Sequence, residues 1–261
     1  MIDERLIRGL HIDAADLAGA TVARAASHEA FQASTLAALL AGRFDGDLTF
    51  AELARHGDLG IGTLNGLDGE MIALDGEFLR ADADGRITRI APAARTPFAV
   101  VTRFEAEVTF DLRGPLDHAG LLAAVDAHAP PDAPALAIRA DGEFDSVHAR
   151  SVPRQRPPYS TLAEAAAGQH EFDLEGVSGT LVGFRFPDHV DGIELPGHHL
   201  HFVDAAHERG GHVLACRPRR LRVQLAAAAD LHLELPPGVE LPDPAAVVAA
   251  SRVDLRAIEG G

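Results

Sequence analysis

Asp-Gly pairs that separate short apolar runs constrain the fold of this chain more than any other feature. Asp75-Gly76 and Asp84-Gly85 divide segment 71–90 into three strand-like runs. An Asp-Gly pair between short apolar runs is a strong signal for a tight β-hairpin. The sequence therefore predicts an antiparallel meander in this part of the chain.

Further strand-like segments surround one longer helical stretch. Residues 98–112 predict one long strand, and 115–128 predict a helix because leucines recur there at helical spacing. Seven further strands are predicted at 135–139 and 144–152, which flank Asp141-Gly142, and at 179–186, 199–204, 212–216, 221–225 and 231–235. Because strands dominate and the helices are segregated from them, we expect an α+β fold with antiparallel and mixed sheets.

Helix caps and prolines organise the rest of the chain. Capping patterns predict short helices that begin after Thr35, Thr49 and Thr161. The prolines between 153 and 158 interrupt the strand pattern and mark a domain junction. The expected units are a variable leader with one helix at 1–28, an N-terminal mixed-sheet lobe at 29–152 and a C-terminal metal-binding β lobe at 153–261, whose tail carries a helix-like segment at 245–251 and returns to the metal site.

Composition limits the partners of this chain. The formal net charge of −16 argues against nucleic-acid binding, which needs a basic face. Cys216 is the only cysteine, so no intrachain disulfide can form. No signal peptide or membrane span is evident, and we expect a cytoplasmic protein without a membrane partner. An anionic ligand would need a local positive group, for which Arg150, Arg154 and Arg156 are candidates.

Three histidines on two predicted adjacent strands form a candidate metal site. His199 and His201 point to the same face of one strand, roughly 6–7 Å apart. A loop at 204–211 lets His212 lie beside them on the neighbouring strand. Three imidazoles leave a tetrahedral ion one open position, which is typical of catalytic zinc. Imidazole also suits iron, nickel and copper, so the histidines alone leave the metal open.

Other interpretations of the histidines remain open. Two of them could lie on an exposed strand face without a ligand. A cupin-like site would need a carboxylate three or four residues after His201, whereas the nearest glutamate is Glu208. His198 is expected to face away from His199 and to pack, and His207 is expected in an exposed loop.

A glycine-rich loop and an arginine segment supply further candidates. Segment 60–69 contains four glycines in ten residues, which allow close backbone approach. It lacks the strand-to-helix context of a dinucleotide site. Glu70, at the mouth of the next strand, is either solvated or close to the metal. Arg150 is either a surface arginine or a clamp for a carboxylate, whose shape its guanidinium matches.

Taken together, these segments resemble those of the alpha-acetolactate decarboxylases, from about residue 32 to the C-terminus. The motifs that carry the resemblance, in the same order, include His56-Gly57-Asp58, Leu67-Asp68-Gly69-Glu70-Met71, Arg150-Ser151-Val152-Pro153, Gly179-Thr180-Leu181-Val182-Gly183-Phe184, His199-Leu200-His201-Phe202 and Gly210-Gly211-His212. Leu64 and Leu79 stand where that family commonly has aromatic residues.

The resemblance implies a zinc-dependent homodimer that converts 2-acetolactate, a 2-hydroxy-3-oxo acid, to acetoin and CO2. In that family zinc stabilises an enediolate and a glutamate protonates it. The residues implied are His199, His201 and His212 for Zn²⁺, Glu70, Arg150 and Glu259 for catalysis, and Thr63 with Arg150 for substrate binding. The histidines alone also allow a hydrolase that uses zinc-bound hydroxide, or a small-molecule-binding protein with a structural metal.

Overall fold

Strands dominate the computed structural model, which describes residues 9–13, 28–130, 135–187, 190 and 192–238. The strands in chain order are β1 (Gly9–Asp13), β2 (His28–Ala33), β3 (Leu48–Thr49), β4 (Leu59–Thr63), β5 (Glu70–Leu74), β6 (Glu77–Ala81), β7 (Ile87–Arg89), β8 (Arg95–Thr96), β9 (Ala99–Thr102), β10 (Val108–Arg113), β11 (Ala135–Ser151), β12 (His170–Phe186), β13 (Gly197–Asp204) and β14 (Gly210–Glu234). The helices are α1 (Leu36–Leu40), α2 (Phe50–Leu53), α3 (His118–His128) and α4 (Leu162–Ala166).

Twelve of these strands join one sheet, and β3 pairs with β8 separately. Within the described residues every pairing is antiparallel except that of β14 with β2. The predicted α+β class is therefore confirmed. No helix in the described ranges is both long enough and apolar enough to cross a lipid bilayer.

Four long strands close on themselves at one side of the sheet. β11 pairs with both β12 and β14, and β13 pairs with β12 and β14, which completes a ring. We call these four strands the ring. Its apolar side chains pack with Leu121 and Val125 of α3. Phe144 and Phe202, both fully buried, meet edge to face at 5.3 Å between ring centroids. Aromatic pairs of this kind add to the stability gained from burial alone.

The other side of the sheet is the predicted meander. β4, β5, β6 and β7 pair in sequence, and β9 joins them to β2. Asp75 and Gly76 both have positive φ, at 52° and 79°, as a tight hairpin turn with two left-handed residues requires. We call β4 to β7 the meander.

The predicted caps of the short helices are confirmed. The Thr35 side chain accepts a hydrogen bond from the Ala38 amide at the start of α1. Thr49 with Glu52, and Thr161 with Glu164, form reciprocal capping boxes at α2 and α4. Each box satisfies amide groups that a helix start otherwise leaves unpaired.

Three strand predictions are wrong. Residues 98–112 form two strands, because the Phe104 amide donates to the Asp58 carboxylate at 2.9 Å and leaves the ladder. Asp141-Gly142 does not form a turn. It lies inside the continuous strand β11, where Gly142 lets the carbonyl of Arg220 approach. The three strands predicted between 212 and 235 are one strand, β14.

The ends of the chain differ from expectation or lie outside the structure. Residues 9–13 of the expected helical leader form β1, which pairs with the end of β14. An exposed strand edge offers free backbone groups for such pairing. The predicted tail helix at 245–251 lies outside the described residues. The boundary at 152/153 stays a prediction, and β11, which precedes it, pairs along its length with β12 and β14.

Candidate active site

Strand register brings Arg150, His212 and His201 into one row. Arg150 of β11 lies opposite His212 of β14, which lies opposite His201 of β13. Residues directly opposite in neighbouring antiparallel strands project to the same face of the sheet. His199, two residues before His201, shares that face because side chains alternate along a strand. Pairing within the ring thus gathers four polar side chains.

The three histidines are close enough to share one ion. One ligand atom from each of His199, His201 and His212 lies within 4.8 Å of the others. The distances between their ring centroids are 4.9–5.4 Å. His201 and His212 are buried, whereas His199 is partly exposed. The predicted grouping of these side chains is present in the structure.

Hydrogen bonding orients one of these imidazoles. His201 Nδ1 lies 2.8 Å from the carbonyl oxygen of Met71 in β5. A carbonyl oxygen only accepts, so Nδ1 carries the proton and Nε2 has the lone pair that a metal needs. The meander therefore sets the tautomer of a histidine that belongs to the ring.

The protein surroundings keep a second imidazole neutral. Loss of solvation, together with the positive charge of Arg150, lowers the pKa of His199 to about 3. A neutral imidazole is the form that binds a metal ion. The proximity of the three rings, the tautomer of His201 and the neutral state of His199 all fit a divalent cation.

Arg150 and Glu70 form a buried ion pair between ring and meander. Arg150 Nη1 donates to Glu70 Oε1 at 3.1 Å, and both side chains are largely buried. Glu70 Oε2 lies 3.6 Å from His201 Nε2. Glu70 therefore lies beside the histidines, as one of the two interpretations of its segment predicted.

Thr63 enters the site through the β4–β5 hairpin. Thr63 pairs with Glu70, and its hydroxyl donates to the carbonyl oxygen of Gly69 at 2.8 Å. Its oxygen can still accept a hydrogen bond from a ligand. Gly66 and Gly69 in this hairpin have φ of 73° and 85°, a conformation in which glycine carries no steric cost.

Apart from His212, these side chains line one cavity of about 620 Å³, counting the space open to solvent. Its polar lining consists of Thr63, Glu70, Arg150, Glu194, His199 and His201. Its apolar lining includes Leu36, Leu39, Leu67, Phe98, Val152, Leu162 and Leu195. A mostly apolar cleft with a few convergent polar groups is typical of small-molecule sites.

Sequence reasoning missed Glu194, a buried carboxylate of this lining that is 1% exposed. The available signal was an acidic residue between Ile193 and Leu195, just before the histidine strand. Glu259, the predicted second catalytic glutamate, lies outside the described residues.

The remaining candidates lie away from the cavity lining or at the surface. Arg154 and Arg156 are exposed. His198 faces away from the site as predicted, with Nε2 3.1 Å from Asp126 Oδ1 on α3. His207 is exposed in its loop, as predicted.

This arrangement can hold a cation and an anionic ligand side by side. The histidines provide neutral nitrogen ligands, and Arg150 provides a buried positive charge with a geometry that matches a carboxylate. A carboxyl group lies within hydrogen-bonding distance of the arginine. Such a site suits a small acid whose reacting group also chelates metal.

Comparisons with known proteins agree with this geometry. The family model for alpha-acetolactate decarboxylase matches residues 30–241. Alpha-acetolactate decarboxylase of Methylococcus capsulatus is 47% identical over 209 residues, which cover 80% of each chain. The enzyme of Methanosarcina mazei is 44% identical over 81% of this chain and 73% of its own.

A solved structure shares most of this architecture. The crystal structure of alpha-acetolactate decarboxylase from Bacillus subtilis strain 168 superposes with a TM-score of 0.83 at 34% identity. The match covers 89% of this chain and 100% of that one. From sequence, fold and site geometry together, this chain belongs to the alpha-acetolactate decarboxylase family, a family of carboxy-lyases.

Proposed function

We propose that this protein decarboxylates 2-acetolactate to acetoin and CO2 with the help of Zn²⁺ held by His199, His201 and His212. The observation that carries the proposal is a histidine cluster in the same cavity as the buried Arg150–Glu70 pair, in a chain of this family. When bound, Zn²⁺ supplies Lewis-acid stabilisation for negative charge that develops on the oxygen atoms of the substrate.

Arg150 orients the substrate in this proposal. Its guanidinium donates to the carboxylate, the group that leaves as CO2, or stabilises negative charge beside it. The lining carboxylates cannot bind that group in their ionised form, since they only accept. Arg150 thus sets the orientation in which a small acid with several oxygen groups binds.

A glutamate supplies the proton that the reaction consumes. Breaking the bond to the carboxylate leaves its electron pair on the substrate as an enediolate, and one proton must reach carbon to give acetoin. Glu70 or Glu259 delivers it in our proposal, acting as a general acid from one face. The glutamate then recovers a proton from solvent.

The proposal is tested by metal analysis of the purified protein together with assays for CO2 and acetoin. We expect bound zinc, both products, and loss of zinc and turnover in His199→Ala. Hydrolysis of esters without CO2 release would favour the hydrolase. Binding of 2-acetolactate without product would favour a binding protein.

Arg150→Ala separates metal binding from turnover. We expect this variant to keep its zinc and to lose about 100-fold or more in activity, the scale seen when a transition-state donor is removed. Arg219→Ala, which changes an exposed arginine on β14, is the matched control. Full activity in Arg150→Ala would contradict the role of this residue.

The wider context of the proposal rests on the resemblance and on composition. We propose a cytoplasmic homodimer that binds a small 2-hydroxy-3-oxo acid and neither nucleic acid nor membrane. The acidic charge supports the lack of a nucleic-acid partner. Light scattering at several protein concentrations tests the dimer, and a monomeric mass throughout would contradict it.

A further inference from the structure

Thr96 relays one backbone hydrogen bond of the sheet beside the cavity. β4 pairs with β9 up to Gly62 and Ala99, so Thr63 and Phe98 are the next residues to face each other. Residues in a hydrogen-bonded antiparallel pair exchange two backbone bonds. One of them is direct, since the Thr63 amide donates to the Phe98 carbonyl oxygen at 3.0 Å. The return bond runs through the hydroxyl group of Thr96.

The Thr96 hydroxyl bridges the two backbone groups of that return bond. Its oxygen accepts from the Phe98 amide at 3.1 Å and lies 2.8 Å from the Thr63 carbonyl oxygen. It also lies 2.9 Å from the Phe98 carbonyl oxygen. A hydroxyl has one proton, so it donates to one of these carbonyl oxygens at a time. All three residues are buried, and loss of a partner is costly for a buried polar group.

Both residues that Thr96 joins line the cavity. Thr63 contributes to its polar lining and Phe98 to its apolar lining. Thr63 also lies directly opposite Glu70 in the β4–β5 hairpin, so these two side chains project to the same face of the sheet. Glu70 contacts Arg150 on that face. The relay through Thr96 therefore fixes the end of the hairpin that presents Thr63 and Glu70.

We propose that Thr96 is a positioning residue, whose hydroxyl group holds Thr63, and with it Glu70, in the place that substrate binding and proton delivery require. This inference rests on the proposed function and extends it to a residue behind the cavity lining. Without the hydroxyl, the Phe98 amide and the Thr63 carbonyl must approach each other or admit water, since buried backbone groups are rarely left unpaired. Either change moves Thr63.

The test compares Thr96→Val with Thr96→Ser in the zinc-loaded enzyme. Valine keeps the shape of threonine without its hydroxyl group, whereas serine keeps the hydroxyl group. We expect Thr96→Val to lower kcat/KM for 2-acetolactate about 10-fold, because small misplacements of reacting groups are costly. Its zinc should remain bound, since the three histidines belong to the ring. Thr96→Ser should keep nearly wild-type turnover, and a serine variant as impaired as Thr96→Val would contradict a role for the hydroxyl group.

Thr102→Val is the matched control. Thr102 is a second buried threonine, at the other end of β9, and its hydroxyl donates to the carbonyl oxygen of Glu29 at 2.8 Å. The change to valine there removes a hydrogen bond of the same kind away from the cavity. Both valine variants should lower Tm, but only Thr102→Val should keep wild-type kcat/KM. An equal loss of kcat/KM in both would trace the effect to general destabilisation and overturn the proposal.

Ligand binding gives a second measurement that does not need turnover. 2-Hydroxy-2-methylpropanoate, a stable acid with the carboxylate and hydroxyl groups of the substrate but no ketone, is titrated into each zinc-loaded variant by calorimetry. We expect Thr96→Val to raise its Kd about fivefold, the scale of one hydrogen bond, and the serine variant and Thr102→Val to leave it unchanged. If Thr96→Val fails to fold, Thr96→Cys, whose thiol is a weaker donor and acceptor, should raise Kd about threefold. Wild-type kcat/KM and Kd in whichever of these two variants folds would overturn the proposal.

The outcomes also separate this inference from the proposed function. If the wild-type enzyme releases CO2 from 2-acetolactate and Thr96→Val matches it in kcat/KM and Kd, only the role of Thr96 is overturned. If the wild-type enzyme releases no CO2, but Thr96→Val weakens binding of the acid and Thr102→Val does not, the positioning of the binding site stands and the decarboxylation is overturned.

Discussion

The ring and the meander contribute to one cavity in different ways. The ring presents His199, His201, His212 and Arg150 through strand register alone. The meander presents Glu70 and Thr63 at a hairpin whose loop needs left-handed residues, among them Gly66 and Gly69. Register fixes side chains at separations set by the strand itself, whereas a loop can be reshaped with little change to the fold.

Two contacts couple these regions at the site. The carbonyl oxygen of Met71 in the meander accepts a hydrogen bond from His201 of the ring, and Glu70 pairs with Arg150. The comparison shows that the candidate metal ligands belong to the ring, while the groups that contact and orient them come from the meander. Variants on either side should therefore fail in distinct ways.

Removal of a ring ligand should have the largest effect. We expect His212→Ala to lose metal affinity by more than the roughly 10–100-fold that follows loss of a supporting hydrogen bond, because the ligand itself is removed. Equilibrium dialysis against zinc measures this loss. His207→Ala, in the exposed loop before β14, is the control. Retention of wild-type affinity in His212→Ala would place the metal elsewhere.

Removal of the Glu70–Arg150 ion pair that joins the ring and the meander should mainly lower the stability of the protein. Glu70→Met leaves the buried guanidinium of Arg150 without Glu70, and we expect the free energy of unfolding of the metal-free protein to fall by about 3 kcal/mol. The double variant Glu70→Met/Arg150→Met should recover part of that loss, since the buried guanidinium is removed together with its carboxylate partner. Urea unfolding provides both values. A double variant less stable than Glu70→Met would contradict the coupling.

Two glycines compare the regions directly. A Cβ at Gly183 of β12 would meet the carbonyl oxygen of His199, whereas one at Gly76 would meet nothing within 4 Å. We expect Gly183→Ala to cost about 2 kcal/mol through overpacking and to weaken metal binding. Gly76→Ala should cost about 1 kcal/mol, through its φ of 79° alone, and leave metal binding intact. Equal metal affinity in both variants would show that β13 absorbs the displacement.

The smallest expected effect is on the pH dependence of stability, through a histidine at the edge of the meander. His56 stacks on Phe31, and burial, with positive charge from His232, Arg103 and Arg55, lowers its pKa below 6.5. As pH falls below 6.5, His56 therefore takes up a proton in the unfolded chain before it does so in the folded protein. The stability that neutral His56 contributes above pH 6.5 is lost as pH falls toward the pKa of the folded state.

We expect His56→Gln to reduce the loss of unfolding free energy between about pH 7.5 and pH 5.5. Urea unfolding at both values measures it, with His170→Gln, an exposed histidine, as the control. An unchanged pH dependence in His56→Gln would show that other groups produce it.

The parts of the fold that sequence could predict depend on local patterns. Alternation along a strand placed His199 and His201 on one face, and capping boxes located two helices correctly. The turn predicted at Asp141-Gly142 was wrong because this glycine allows close contact with a strand about 80 residues away, at Arg220. Separate strands were predicted at 212–216 and 221–225, yet β14 continues through both and past Pro218, with a shifted register opposite Phe144.

The candidate site divides in the same way. Resemblance identified Glu70 and Arg150, whose contact joins two distant segments and has no local pattern of its own. Glu194 escaped because it reaches the cavity only when the connection between β12 and β13 docks on α1, which lies about 150 residues earlier. Long-range docking of this kind is invisible to periodicity, since no local spacing reports it.

The late position of β14 in the chain affects how this protein folds during its synthesis on the ribosome. Among the described residues it pairs with five strands, and Asp230 lies beside Glu29 in a parallel ladder. The edges of the earlier strands that pair with β14 therefore remain unpaired until nearly the whole described chain has been synthesised. Such delayed closure makes folding slow and exposes nascent strands to mispairing.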